Sequence, residues 1–156
     1  MYLRLGDILV LRGLLTAEQR DEILDAQRST ARPFGALAEE MFGIQASDVE
    51  HAWATQYASI ADHIDPRDAK IEPRALARIN RRQAWQFCIM PLHYSGDSLI
   101  ICTTRDHLAR ALRFTGWRTP EPTQFVIADA KDLGMALMRH YPMDGTSPGL
   151  VSTSAA

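Results

Sequence analysis

The chain has 156 residues, 46% of them hydrophobic and 23% charged, with a formal net charge of −2; these ordinary globular values suffice for one domain, or two small subdomains, with a real core. Its 17 basic and 19 acidic residues nearly balance, which speaks against a broad nucleic-acid surface, so neither DNA nor RNA is an expected partner. No run of about 18 apolar residues occurs, and Asp7 interrupts what would have to be a signal sequence, so a cytoplasmic protein without membrane insertion is expected.

From residue 3 to Ile60 the apolar spacing is helical, with Leu5, Ile8, Leu9 and Leu11 on one short helix and Ile23, Leu24 and Gln27 on the next. Thr16 followed by Glu18 and Gln19 is an N-cap signature, and Ser47 with Asp48 and Glu50 repeats it. The repetition is general. At an offset of 29 residues Leu5-Gly6 recurs as Phe34-Gly35, Ile8 as Leu37, Asp21 as Glu50, Leu24 as Trp53 and Gln27 as Gln56. A fixed period of this kind marks a duplicated unit whose copies share an apolar face, here a short helix, a glycine-containing turn and a longer helix. Residues 1–61 are expected to form this helical tandem-repeat subdomain.

Asp65-Pro66 and Glu72-Pro73 break the pattern, because a proline disfavours helix at the residue before it, and residues 62–72 read as a linker. Pro73 then opens a helix through Ala75, Leu76 and Ile79. Phe87 to Tyr94 and Ser98 to Thr103 read as strands joined by the turn Ser95-Gly96-Asp97. Asp106 to Thr115 is helical, with Gly116 as its C-cap; Gln124 to Ala128 is a third strand; Asp129 caps a closing helix that ends at Tyr141. Residues 73–141 are thus a small three-stranded α/β subdomain in the order helix, strand, strand, helix, strand, helix, and the fold class is α+β. Residues 142–156, poor in apolar side chains, are expected to be a disordered tail.

The first copy, Arg4 to Gln27, resembles the N-terminal domain of the ATPases of type II secretion and type IV pilus assembly, the MshEN domain. That family's pattern is Arg-Leu-Gly, two aliphatics, Gly with two aliphatics, Leu, Leu and Gln over 24 residues, and Arg4-Leu5-Gly6, Leu9-Val10, Gly13-Leu14-Leu15, Leu24 and Gln27 follow it, with Arg20 standing where the family has Leu. The family's five-residue spacer falls on Arg28 to Arg32, and the second copy runs from Pro33 to Gln56. There Phe34-Gly35 stands for Leu-Gly, Val49 and Trp53 for the late leucines and Gln56 for Gln, while Pro33 replaces Arg, Ala38-Glu39 the aliphatic pair, and Gly43 is displaced by one. The Arg81 to Leu92 stretch is also similar to the family. No Gly-x-x-x-x-Gly-Lys-Ser/Thr loop follows, so a stand-alone, non-enzymatic domain that senses, docks or regulates is expected.

The resemblance implies a cyclic di-GMP receptor in bacterial signalling, with a secretion or pilus machinery protein as its partner. Arg4 would pair with the N7 and O6 acceptors of guanine, and Gly6 would leave room for the ligand. Leu5, Leu14 and Leu24 would be apolar walls, and Gln27 and Gln56 mixed donors and acceptors. In the second copy Phe34 and Trp53 would stack on a base, beside Gly35 and Val49, and Arg32 or Arg28 would stand in for the arginine lost at Pro33. The alternative is a nucleotide-blind interaction adaptor, in which the same leucines are helix-packing residues and the glycines serve turns and packing.

The remaining polar residues suggest no catalysis. Cys88 and Cys102 lack metal or redox spacing and read as reduced buried thiols. His51, His63, His93, His107 and His140 form no ligand motif, Asp62, Asp65 and Asp68 read as loop and capping residues, and no cofactor or metal is expected. Arg74, Arg78, Arg81 and Arg82 form a basic run that is either a solvated face or a contact for an anion, and Trp85, Phe87 and Trp117 read as core anchors.

Overall fold

The computed structural model describes residues 4–119 and 121–153, without the side chains of residues 117, 118 and 153. The chain divides into two compact units, Met1–Ile60 and Ala61–Ala156.

The first unit is four helices, α1 (Leu5–Leu11), α2 (Ala17–Thr30), α3 (Phe34–Phe42) and α4 (Ala46–Ile60). Thr16 starts α2 as a capping box: its hydroxyl accepts from the Gln19 N–H at 3.1 Å, and the Gln19 side chain accepts from the Thr16 N–H at 2.9 Å. Gly13 and Gly43, at φ +76° and +66°, supply the left-handed turns after the two short helices. The second cap differs from expectation, because α4 begins at Ala46 and so Ser47 lies inside its first turn.

The 29-residue offset is visible in the core. Ile8 and Leu37, Leu9 and Ala38, Ile23 and Ala52 are offset pairs, and all six are buried in one cluster. Each short helix packs chiefly against the long helix of the other copy, α1 on α4 and α2 on α3, so exchanging the copies reproduces the packing and the unit has a pseudo-two-fold. Leu11, expected on the apolar face, is the last residue of α1 and is 73% exposed.

In the second unit, the stretch read as a linker is built into the sheet. The Ile64 N–H donates to the Ile127 carbonyl and the Ile127 N–H to the Asp62 carbonyl, each at 2.8 Å, and Asp65 caps a 3-10 turn, Pro66–Asp68. The two prolines break helix but leave edge pairing open. The single helix expected after Pro73 is two, α5 (Pro73–Leu76) and α6 (Arg81–Phe87). Asn80 forms a capping box with Gln83 and restarts the helix, which carries Phe87 out of the expected strand.

The sheet is β1 (Met90–Ser95), β2 (Ser98–Thr103) and β3 (Thr123–Ile127). β1 and β2 pair antiparallel through a hairpin with Gly96 at φ +59°, and β3 joins β2 in parallel after α7 (Leu108–Arg118). Gly116 is inside α7 and does not end it. α8 (Ala130–His140) follows, with Asp129 at the N-cap position but without a side-chain cap bond. The α+β class is as expected.

Trp85 and Phe87 are anchors: the Trp85 indole N–H donates to the Tyr141 carbonyl at 2.8 Å, and Phe87 stacks on Phe114 with ring centroids 4.1 Å apart. The Trp117 side chain lies outside the described residues. Residues 142–153 are ordered, contrary to the expected tail, and include α9 (Gly149–Thr153). Val151 is 0% exposed, and Gly134 on α8 gives the Pro148 backbone a seat that any Cβ would fill. One buried valine and one glycine seat are too small a signal for composition to register.

Candidate functional site

The first unit holds a cleft of about 520 Å³, within the range of small-molecule sites. The start of α1 contributes Arg4, Leu5, Gly6 and Asp7, and one face of α2 contributes Arg20, Asp21, Leu24 and Gln27. The second copy contributes Phe34 and Gln56. Leu5 with Phe34, and Gln27 with Gln56, are offset pairs, so the cleft sits astride the pseudo-two-fold.

Two glycines make this possible. A Cβ on Gly6 would lie 2.8 Å from Phe34 Cζ and 3.1 Å from Arg20 Cγ; on Gly35 it would lie 2.7 Å from Val49 Cγ1 and 3.8 Å from Leu5 Cδ2. Phe34 is the offset partner of Leu5, and Val49 that of Arg20. Each glycine therefore seats the leading residue of the other copy and one residue of its own long helix. A side chain at Gly6 would meet Phe34 and Arg20, so its absence serves the interlock of the copies.

The polar rim comes from the first copy. Arg20 Nη1 donates to Asp7 Oδ1 at 3.2 Å and Arg20 Nε to Asp21 Oδ1 at 3.3 Å. The Arg4 N–H donates to Asp7 Oδ2 at 3.4 Å, and the exposed Arg4 guanidinium forms no ion pair among the described residues. Two cations and two carboxylates thus face the opening, above apolar walls from Leu5, Leu24 and Phe34.

Of the twelve residues expected at the site, Arg4, Leu5, Gly6, Leu24, Gln27, Phe34 and Gln56 line the cleft and the other five do not. Leu14 packs half-buried against the helical core, and Gly35 lies under Val49. Arg32 pairs with Glu40 at 2.5 Å, which holds it to the end of α3. Trp53 is 40% exposed and tilts against Tyr57, with ring centroids 5.6 Å apart. Arg28 pairs with Asp25 at 2.9 Å. Asp7, Arg20 and Asp21 are not among the expected site residues, although for Arg20 helical spacing carries the signal: residues 20, 24 and 27 recur at i, i+4 and i+7.

The second unit offers chemistry of a different kind. Arg74 pairs with Glu72 at 3.1 Å, and Arg78 with Glu121 at 2.8 Å, so half of the basic run is spent within the unit. The Tyr94 backbone N–H and Arg74 hold the Glu72 carboxyl below its ordinary value, and Arg67 does the same for Asp65. Burial pushes the Cys102 thiol up to about 12, which removes it as a nucleophile; both cysteines are buried and neither is in a disulfide. Among the described residues no group of three or more His, Cys, Asp or Glu could hold a metal ion, and no helix is long and apolar enough to cross a membrane.

The sequence model of the MshEN domain family matches residues 57–147, the end of α4 and most of the second unit; Arg4 to Gln27 lies outside that match. No curated protein matches the chain. Among solved structures, one described as "Structure of MshE with cdg" is 26% identical, covers 89% of this chain and 99% of its own, and has a TM-score of 0.48. The N-terminal domain of XpsE is 16% identical, with 88% of this chain and 93% of its own covered and a TM-score of 0.45.

Proposed function

The chain belongs to the MshEN domain family, and from that premise we propose that it is a non-enzymatic, cytoplasmic receptor that binds cyclic di-GMP in the cleft of its helical repeat. The observation that carries this reading is the meeting of Arg4, Leu5, Gly6, Leu24 and Gln27 with Phe34 and Gln56 in one cleft. The motif residues could each have served packing alone; instead they share a solvent-facing cavity.

The chemistry suits such a ligand. The Arg4 fork matches the two adjacent acceptors of a guanine edge, and the Phe34 ring offers a face for a base, a contact of about 1–3 kcal/mol. Gln27 and Gln56, related by the repeat, offer donors and acceptors to the two chemically equivalent halves of a cyclic dinucleotide. A ligand that touches both copies favours one arrangement of them by its differential affinity, and this is how occupancy would reach a secretion or pilus machinery protein.

Isothermal titration with cyclic di-GMP, with GTP as the control, tests the reading. Binding that is selective and falls about 5- to 150-fold in Arg4→Ala, the worth of one bidentate pairing, supports it. No heat and no thermal shift at about 100 μM ligand refutes it.

A second reading has its own support. Pro33 and the Arg32–Glu40 pair leave the second copy without a guanidinium at its expected place, as a nucleotide-blind docking module would allow. In that case Arg4→Ala leaves binding to the machinery partner unchanged.

A further inference from the structure

The repeat puts Arg4 at the head of the first copy and Pro33 at the head of the second, so a site built from both copies lacks one of its two cations at the expected position. The cleft nevertheless contains a second guanidinium. Arg20 is offset by 29 residues from Val49, and the two occupy equivalent places, Arg20 Cγ over Gly6 and Val49 Cγ1 over Gly35. The aliphatic stem of Arg20 therefore fills the volume that a valine fills in the second copy, and the guanidinium beyond it reaches Asp7 and Asp21 at the cleft.

That guanidinium is held on two sides. Nε donates to Asp21 and Nη1 to Asp7, at 3.3 and 3.2 Å, distances long for charge-assisted bonds. Of its five N–H donors, both on Nη2 are unclaimed among the described residues, and the side chain is 30% exposed. A planar fork with one edge fixed by carboxylates and the other open suits an anionic oxygen. Charge points the same way: Arg4 and Arg20 balance Asp7 and Asp21 in the cleft, and without Arg20 a dianionic ligand would meet a net negative rim.

We infer that Arg20 is the second ligand-contacting guanidinium of the cleft, donating from Nη2 to a phosphodiester oxygen of the cyclic dinucleotide and replacing the cation that Pro33 cannot supply. This rests on the cyclic di-GMP reading above. Asp7 and Asp21 act as positioning residues that also compete with the ligand for Arg20.

The test is titration of the full chain with cyclic di-GMP at low and high salt, comparing wild type with Arg20→Leu, Arg20→Lys and Asp21→Asn, each checked for fold by circular dichroism. Arg20→Leu is expected to bind about 10- to 100-fold more weakly and to lose much of the salt dependence. Arg20→Lys should restore part of the affinity, and Asp21→Asn, which frees the guanidinium, should tighten binding. Wild-type binding with Arg20→Leu equal or tighter overturns the inference and leaves the receptor reading standing. A silent wild type overturns the receptor reading and this inference with it. Should Arg20→Leu fail to fold, unchanged affinity in both Arg20→Lys and Asp21→Asn overturns the inference.

Discussion

Replacing Gly6 by alanine separates two explanations of that glycine, room for a ligand or room for the other copy. The new Cβ would lie 2.8 Å from Phe34 Cζ and 3.1 Å from Arg20 Cγ, so the ring must move, and Phe34 is packed against the helical core. Overpacking of this kind costs about 1–3 kcal/mol, and the gain in helix propensity offsets about 1 kcal/mol of it. The expected net loss is about 1 kcal/mol, which moves a urea midpoint by roughly 0.3–1 M. Phe34→Leu removes the clashing atom and installs the residue that the first copy carries at Leu5. In the double variant Gly6→Ala/Phe34→Leu the two effects should therefore be non-additive by about 1 kcal/mol. The assay is urea denaturation of the ligand-free chain, followed by circular dichroism. A Gly6→Ala chain more stable than wild type, with an additive double variant, would refute the interlock and return Gly6 to the role of ligand clearance.

Two further outcomes concern the second unit. Val151→Asp puts a charge at a position with 0% exposure beside α8, and the cost of burying it should detach α9; protease cleavage between Pro142 and Gly149 should then rise sharply, whereas an unchanged cleavage pattern would mean that α9 does not pack. For acid stability the sign follows from depressed carboxyls. Asp65 is lowered from 3.8 mainly by its hydrogen bond with the Arg67 side chain, and Glu72 from 4.5 mainly by the Tyr94 backbone N–H. Their contribution is present above those ordinary values and is lost as pH falls through the lower folded ones. Denaturation midpoints should therefore drop below about pH 4, less steeply in Asp65→Asn; equal slopes in the two chains would remove Asp65 from the account.

The first unit was legible because both copies use the same positions for the same purpose. Ile8 and Leu37, or Ile23 and Ala52, are buried alike, and a repeated demand leaves a repeated letter. Thr16 and Gly96 were legible because capping and a tight hairpin each call for a narrow set of residues. Competing local signals hid the rest. Asn80 restarts the helix, a break that the spacing of Ala75, Leu76 and Ile79 conceals, and Gly116 resembles a cap but lies within α7. Ile64 and Asp62 pair with Ile127 through backbone atoms, which no side-chain pattern records. In the cleft, Arg20 is visible as a departure from the family's Leu, but only the folded structure shows that its stem takes the place of an aliphatic residue while its charge faces the opening.

The duplication is symmetric where it packs and asymmetric where it meets solvent. In the packing, Gly6 answers Gly35 and Ile8 answers Leu37; of the residues that line the cleft, Arg4, Arg20 and Leu24 have Pro33, Val49 and Trp53 as their offset partners, and none of these three lines it. Packing energy is set by the buried pairs, which bury apolar area on both sides of the pseudo-two-fold, so rim residues can change without unfolding the unit. Such a division lets one copy keep polar chemistry while the other keeps only shape. On the receptor reading, a ligand would take its charged contacts from Arg4 and Arg20, and mainly a ring face and an amide from Phe34 and Gln56. Substitutions at Arg32 or Trp53, which do not line the cleft, should leave its affinity nearly unchanged, and that asymmetry separates this cleft from one whose two halves contribute equally.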